Sequence, residues 1–122
     1  MTDALVQRLR RYRSGGESLT ATAYWMLTKI EAAFGGRRAG HAREGAANAL
    51  RVDEKILATI GRLSARADSE VGRKAKGDTT PLNGPELAWL ESAITRLTRR
   101  AGEFAASSGN LPIVTMSDLP KL

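Results

Sequence analysis

Residues 43–63 read REGAANALRVDEKILATIGRL, and the small and apolar residues in this run fall where two short helices would meet across a tight turn. Ala46 and Ala47 supply a small surface for the crossing, while Leu50 and Val52 bracket a turn at Arg51 and Val52. Asp53 is placed to cap the next amides, and Ile56, Leu57, Ile60 and Leu63 then repeat at steps that give one apolar helical face. The first of the two helices is expected over about Arg38–Leu50. Gly40 and Gly45 weaken it by roughly 1 kcal/mol each relative to Ala, and they also leave room for a second helix to approach closely.

The same reasoning extends in both directions. A first helix is expected over Asp3–Arg13, capped at Thr2 or Asp3 and stopped by Gly15-Gly16, with a thin stripe of Leu5, Leu9 and Tyr12 among four arginines. A second begins near Ser18 or Thr20 and ends at Gly35-Gly36. Its Leu19, Ala23, Met26, Ile30 and Ala33 recur every three or four residues, with Leu27 and Phe34 widening the stripe. From residue 64 to 84 the pattern fades into a frayed helix end and a loop. Asn83-Gly84-Pro85-Glu86 then opens a last helix, Asn83 and Glu86 forming a capping box, that runs to about Ala106. Leu87, Leu90, Ile94, Leu97, Ala101 and Phe104 keep a 3.5-residue period along it, so the second and last helices are expected to pack antiparallel or to pair with a second copy.

The expected fold is therefore all-α, about five helices in an orthogonal or bundle-like core. A short pair, helices 3 and 4, is framed by the longer helices 2 and 5. Residues 1–106 read as one helical domain, with 1–16 as a basic N-terminal helix, and 107–122 as an extended tail that lies over a groove or is loose. A chain of 122 residues with 42% hydrophobic residues supports one modest core, and few aromatics make Leu, Ile and Ala its substance around Tyr24, Trp25, Phe34, Trp89 and Phe104.

The net charge of +6 is unevenly spread. Residues 1–16 carry +3, and residues 37–76 hold ten Lys or Arg against five acids, whereas 17–36 and 77–107 are each −1. A basic excess concentrated around the opening run points either to an anionic partner, of which nucleic acid is the commonest, or to a basic surface that only confers solubility. Absence of cysteine removes disulfides, thiolate metal sites and thiol nucleophiles, and fits a reducing cytoplasm. The apolar run ATAYWML is too short to cross a bilayer, and the arginine-rich start lacks the apolar stretch of a signal peptide, so a soluble cytoplasmic protein without membrane contact is expected.

The run AANALRVDEKILATI resembles the helix-turn-helix class of DNA-binding proteins, whose pattern is Ala, two variable residues, Leu, Gly, Val, a capping Ser or Asp, and an apolar pair. The resemblance covers residues 43–63, with Arg51 where the class usually has Gly. It implies that the first helix of the pair crosses the nucleic-acid backbone and the second lies in the major groove. The base-facing candidates are then Glu54, Lys55, Ala58, Thr59 and Arg62. Arg37, Arg38, His41 and Arg43 would lie near the backbone beside the free amides of a helix N-terminus, with Arg66, Arg73, Lys74 and Lys76 as a trailing basic strap. Asp53 and Glu54 oppose phosphates, and Glu54 could accept only from a cytosine amino group.

Other residue sets carry less chemistry. His41 and Glu44 share a helical face but lack the third and fourth ligands of a metal site, and GGRRAG has arginines where a phosphate loop needs Lys-Ser. No Ser, His and acid arrangement exists, and Glu86 with Glu91 or Asp53 with Glu54 read as caps and solvated faces. No enzyme activity, cofactor or small-molecule substrate is inferred. Arg96, Arg99 and Arg100 form a group on helix 5 that reads as a solvated face or an anion contact. Two functions remain: a small nucleic-acid-binding regulator, homodimeric as is usual for that class, and a helical protein-interaction module or homodimer using helices 1 and 5 or the apolar tail.

Overall fold

The computed structural model describes residues 2–36, 40–66, 81–106 and 111–122. These form five α-helices, α1 (Thr2–Arg13), α2 (Leu19–Phe34), α3 (Ala42–Leu50), α4 (Glu54–Ser64) and α5 (Gly84–Ala106), followed by a 3-10 turn at Met116–Asp118. Among the described residues there is no strand, only an isolated parallel bridge between Val52 and Val114. The fold is all-α, and the two long helices α2 and α5 each pack against all the others.

Local chemistry sets most of the boundaries. The Ser18 side chain accepts from the Ala21 amide at the start of α2, and Asp53 accepts from the Lys55 amide at the start of α4. At α5, Asn83 Oδ1 accepts from the Glu86 amide and Glu86 Oε1 accepts from the Asn83 amide, each at 2.9 Å, the reciprocal capping box expected from the sequence. Helix α3 begins at Ala42, later than the expected Arg38, because Gly40 takes φ 79°, outside helical space.

The core gathers Met26 and Ile30 of α2, Leu50 of α3, Leu57, Ile60 and Leu63 of α4, and Trp89, Leu90, Ile94 and Leu97 of α5. Ala33 does not join it and is exposed. Helices α2 and α5 are not antiparallel: Thr98 contacts Met26 Sδ, and Phe104 stacks edge-on against Phe34 with ring centroids 5.3 Å apart, so the contacts advance in the same sense along both helices. The antiparallel place on α5 is taken by α1. Tyr12 reaches Glu91 and Thr2 reaches the Ala101 carbonyl, while Leu5 and Leu9 are buried. A thin apolar stripe thus suffices to dock α1 firmly.

The crossing of α2 and α3 is a contact of backbone on backbone. A Cβ at Gly45 would stand 2.3 Å from the Gly35 carbonyl oxygen, so glycine is required in the middle of α3. Its helix-weakening cost is offset by the packing it permits. Near the C-terminus, Val114 is buried and its amide and carbonyl pair with Arg51 O at 2.9 Å and Asp53 N at 2.8 Å, so residues 111–114 lie against the α3–α4 turn.

Candidate nucleic-acid interface

The connection between α3 and α4 is three residues long, Arg51, Val52 and Asp53. Arg51 adopts φ 58° and ψ 49°, the left-handed conformation that usually calls for glycine, and it is the sole non-glycine residue with positive φ among those described. The amide of Val52 then reaches back to the Ala47 carbonyl at 3.1 Å, the long backbone bond of a Schellman helix end. Two further carbonyls are satisfied from a distance in sequence. Arg100 Nη1 donates to Leu50 O at 3.1 Å and to Arg51 O at 2.9 Å, and Arg100 Nε donates to Glu103 at 3.0 Å. Val114 supplies another donor to Arg51 O, and the Arg51 Nε reaches Leu111 O at 3.3 Å.

Arg100 is therefore not part of a solvated face, since it is only 2% exposed. A guanidinium can bond two carbonyls and a carboxylate at once because its donors are fixed in a planar fork. The helix end it covers is also the negative end of α3, which favours a cation there. Its signal in the sequence is its position three residues after Leu97, on the inner side of α5.

Along α4, Glu54, Lys55, Ala58 and Arg62 are all exposed and share one side of the helix. Thr59 does not stand with them. It lies on the side of Ile56, Ile60 and Leu63, is buried, and its hydroxyl donates to the Lys55 carbonyl at 2.7 Å. The correction follows from the helical period, which places position 59 three residues after Ile56 and four before Leu63.

The flanking cations have mixed assignments. Arg43 donates to Glu31 Oε2 at 2.9 Å, and its guanidinium lies beside Gly61, where an added Cβ would meet Nη2 at 3.0 Å. Arg43 thus borders the exposed side of α4 but is tied to α2. Arg66 is committed to an ion pair with Glu86, linking the end of α4 to the start of α5. That pair, followed by the bond to the Asn83 amide, holds the Glu86 carboxyl below its ordinary range. His41 stands at the N-cap of α3 with Nδ1 3.1 Å from Glu44, both half open to solvent. No cluster of three or more potential metal ligands occurs among the described residues. Arg37, Arg38, Arg73, Lys74 and Lys76 lie outside the described residues. No described helix is long and apolar enough to cross a membrane.

Comparison with known proteins finds no matching family model, no similar curated protein and no similar solved structure.

Proposed function

We propose that this protein binds duplex nucleic acid through the α3–α4 corner. The observation that carries the proposal is the three-residue left-handed turn at Arg51 joining two short helices, the second of which leaves Glu54, Lys55, Ala58 and Arg62 exposed on one side. A helix that enters a major groove needs an unobstructed side and donors spaced along it. Lys55 and Arg62 are separated by about 10 Å along the axis at 1.5 Å per residue, a span suited to contacts on successive nucleotides. Small Ala58 between them keeps that side close to a base edge. Arg62 is the group fitted to guanine N7 and O6, and Glu54 is fitted to a cytosine amino group. Asp53 spends its carboxylate on the Lys55 amide, which reduces its repulsion of phosphates.

Fluorescence anisotropy with a labelled random duplex tests this directly. Affinity is expected to fall by tenfold or more between roughly 50 and 200 mM salt. Lys55→Glu and Arg62→Glu should each weaken binding at fixed salt, because both reverse exposed charges without entering the core. Absent or salt-independent binding at low ionic strength would count against nucleic acid as the partner.

A second reading, a protein-interaction module or homodimer, draws support from Leu87 and Ile113, which remain 44% and 55% exposed. The faces of α1 and α5 favour it less, since Leu5 and Leu9 are spent on α5. Light scattering over a concentration series separates a dimer from a monomer, and an unchanging monomer that recovers no protein partner would remove this reading.

A further inference from the structure

The three arginines near the end of α5 divide between two tasks. Arg100 turns inward, whereas Arg96 and Arg99 remain at the surface, where Arg13 from the last turn of α1 joins them. Together they line an open cleft of about 390 Å³ between α1, α5 and the C-terminal segment. Two acids, Glu91 and Asp118, share that lining, so the commitments of each group decide what the cleft can hold.

Both carboxylates already accept from other groups. Tyr12 donates its hydroxyl to Glu91 at 2.7 Å, and the Thr115 amide donates to Asp118 at 2.8 Å. The guanidiniums are less committed. Arg13 has a neutral partner, donating to Thr95 Oγ1 at 3.2 Å, and Arg99 stands 3.8 Å from Glu103, beyond hydrogen-bond distance, with its side chain 70% exposed. Arg96 lies over an apolar hollow formed by Val52, Ile56, Val114 and Leu119, and its Nε is buried with no hydrogen-bond partner among the described residues. That buried Nε is out of reach of a ligand in the cleft, which is lined instead by two guanidiniums with spare donors, Arg13 and Arg99, beside Arg96.

We infer that this cleft binds a small phosphate-bearing anion through Arg13, Arg96 and Arg99. Tetrahedral phosphate oxygens match the fork of a guanidinium, and arginines from two helices approach the same anion from different directions. The two acids in the same lining disfavour an extended polyanion lying across the cleft, so the fitting anion is one compact group. The site is separate from the exposed side of α4, so it stands or falls independently of duplex binding.

The test is calorimetric titration of the full chain with inorganic phosphate, inorganic pyrophosphate and ADP, with ionic strength held constant by sodium chloride. Saturable binding of at least one is expected. Tighter binding of pyrophosphate than ADP would identify a free inorganic anion, and the reverse order a nucleotide. The double variant Arg96→Gln, Arg99→Gln should weaken that binding at least tenfold, and Arg13→Gln should weaken it separately. Because Arg13 lies on another helix, its loss of binding cannot be ascribed to damage in α5. Arg10→Gln, exposed on α1 and outside the cleft, should bind as the native chain does. Circular dichroism establishes that each variant is folded. No saturable heat with any of the three anions, or binding that survives in all the cleft variants, would overturn the assignment.

Discussion

At Arg51 the backbone takes a conformation that an L side chain adopts reluctantly, and the surroundings show what holds it there. Its carbonyl receives both Arg100 Nη1 and the Val114 amide. The comparison Arg51→Gly against Arg51→Ala isolates the backbone cost, because both variants lose the bond from Nε to Leu111. Gly should be the more stable of the two by about 1 kcal/mol, measured by urea unfolding, since only the Ala variant retains a Cβ in left-handed space. Arg100→Met should cost about 2–3 kcal/mol by removing the donor to the Leu50 carbonyl and leaving the Arg51 carbonyl with the Val114 amide alone, while preserving much of the side-chain volume. An equal effect from Arg99→Met would refute that distinction, because Arg99 is exposed. A turn here was legible in the sequence from Leu50, Val52 and Asp53 around Arg51, but an arginine in place of the usual glycine spoke against its left-handed backbone. The role of Arg100 was not, because its partners lie about fifty positions away and residue type alone does not reveal where a guanidinium will point.

The same contrast between local and distant causes governs the helices. Ser18, Asp53 and the Asn83–Glu86 pair could be read directly because a cap bonds within three residues of itself. Direction of packing could not. The regular apolar spacing of α5 is equally compatible with either neighbour, and α1, with few apolar residues, took the antiparallel place. On α4 the exposed side was legible except at Thr59, whose polar side chain obscured its inward position. Glycines show how such distant contacts decide an element's tolerance. Gly45→Ala should destabilise by about 1–3 kcal/mol, because its Cβ would collide with the Gly35 backbone, which cannot move aside as a side chain can. At Gly61 the nearest obstacle is the flexible end of Arg43, at 3.0 Å. Gly61→Ala should therefore lie within about 1 kcal/mol of the native chain, helped by the better helix propensity of Ala. Thermal unfolding of both variants distinguishes backbone crowding from a generic effect of replacing glycine in a helix.

Across the whole molecule, ion pairs join parts that apolar packing leaves less constrained, and this makes stability depend on acid. Arg8 binds Glu17 in the connection between α1 and α2 through bonds of 2.6 and 2.5 Å, while its guanidinium also lies 4.4 Å from the centre of the Trp25 ring. Arg66 joins Glu86 between α4 and α5, and Arg100 joins Glu103 beneath the α3–α4 turn. The Arg8 bond, opposed by partial burial and aided by Thr22, holds the Glu17 carboxyl below its ordinary value of 4.5. Glu86 and Glu103 are lowered chiefly by their arginine partners, and Asp118 by the Thr115 amide. In each case the unfolded chain takes up a proton at a higher pH than the folded chain does. The resulting stability is present above the unfolded carboxylate values near 4 and is lost as pH falls through the lower native values. Meanwhile the excess of positive charge grows as carboxylates are neutralised, adding repulsion between the basic segments. Urea midpoints should therefore change little between pH 7 and 5 and decline below about pH 4. Glu17→Gln should lower stability by about 1 kcal/mol at pH 7, given a partly screened pair, and should reduce the loss on acidification because one of the depressed carboxyls is gone. Parallel acid profiles for the native chain and this variant would show that the Arg8–Glu17 connection does not contribute to the acid response.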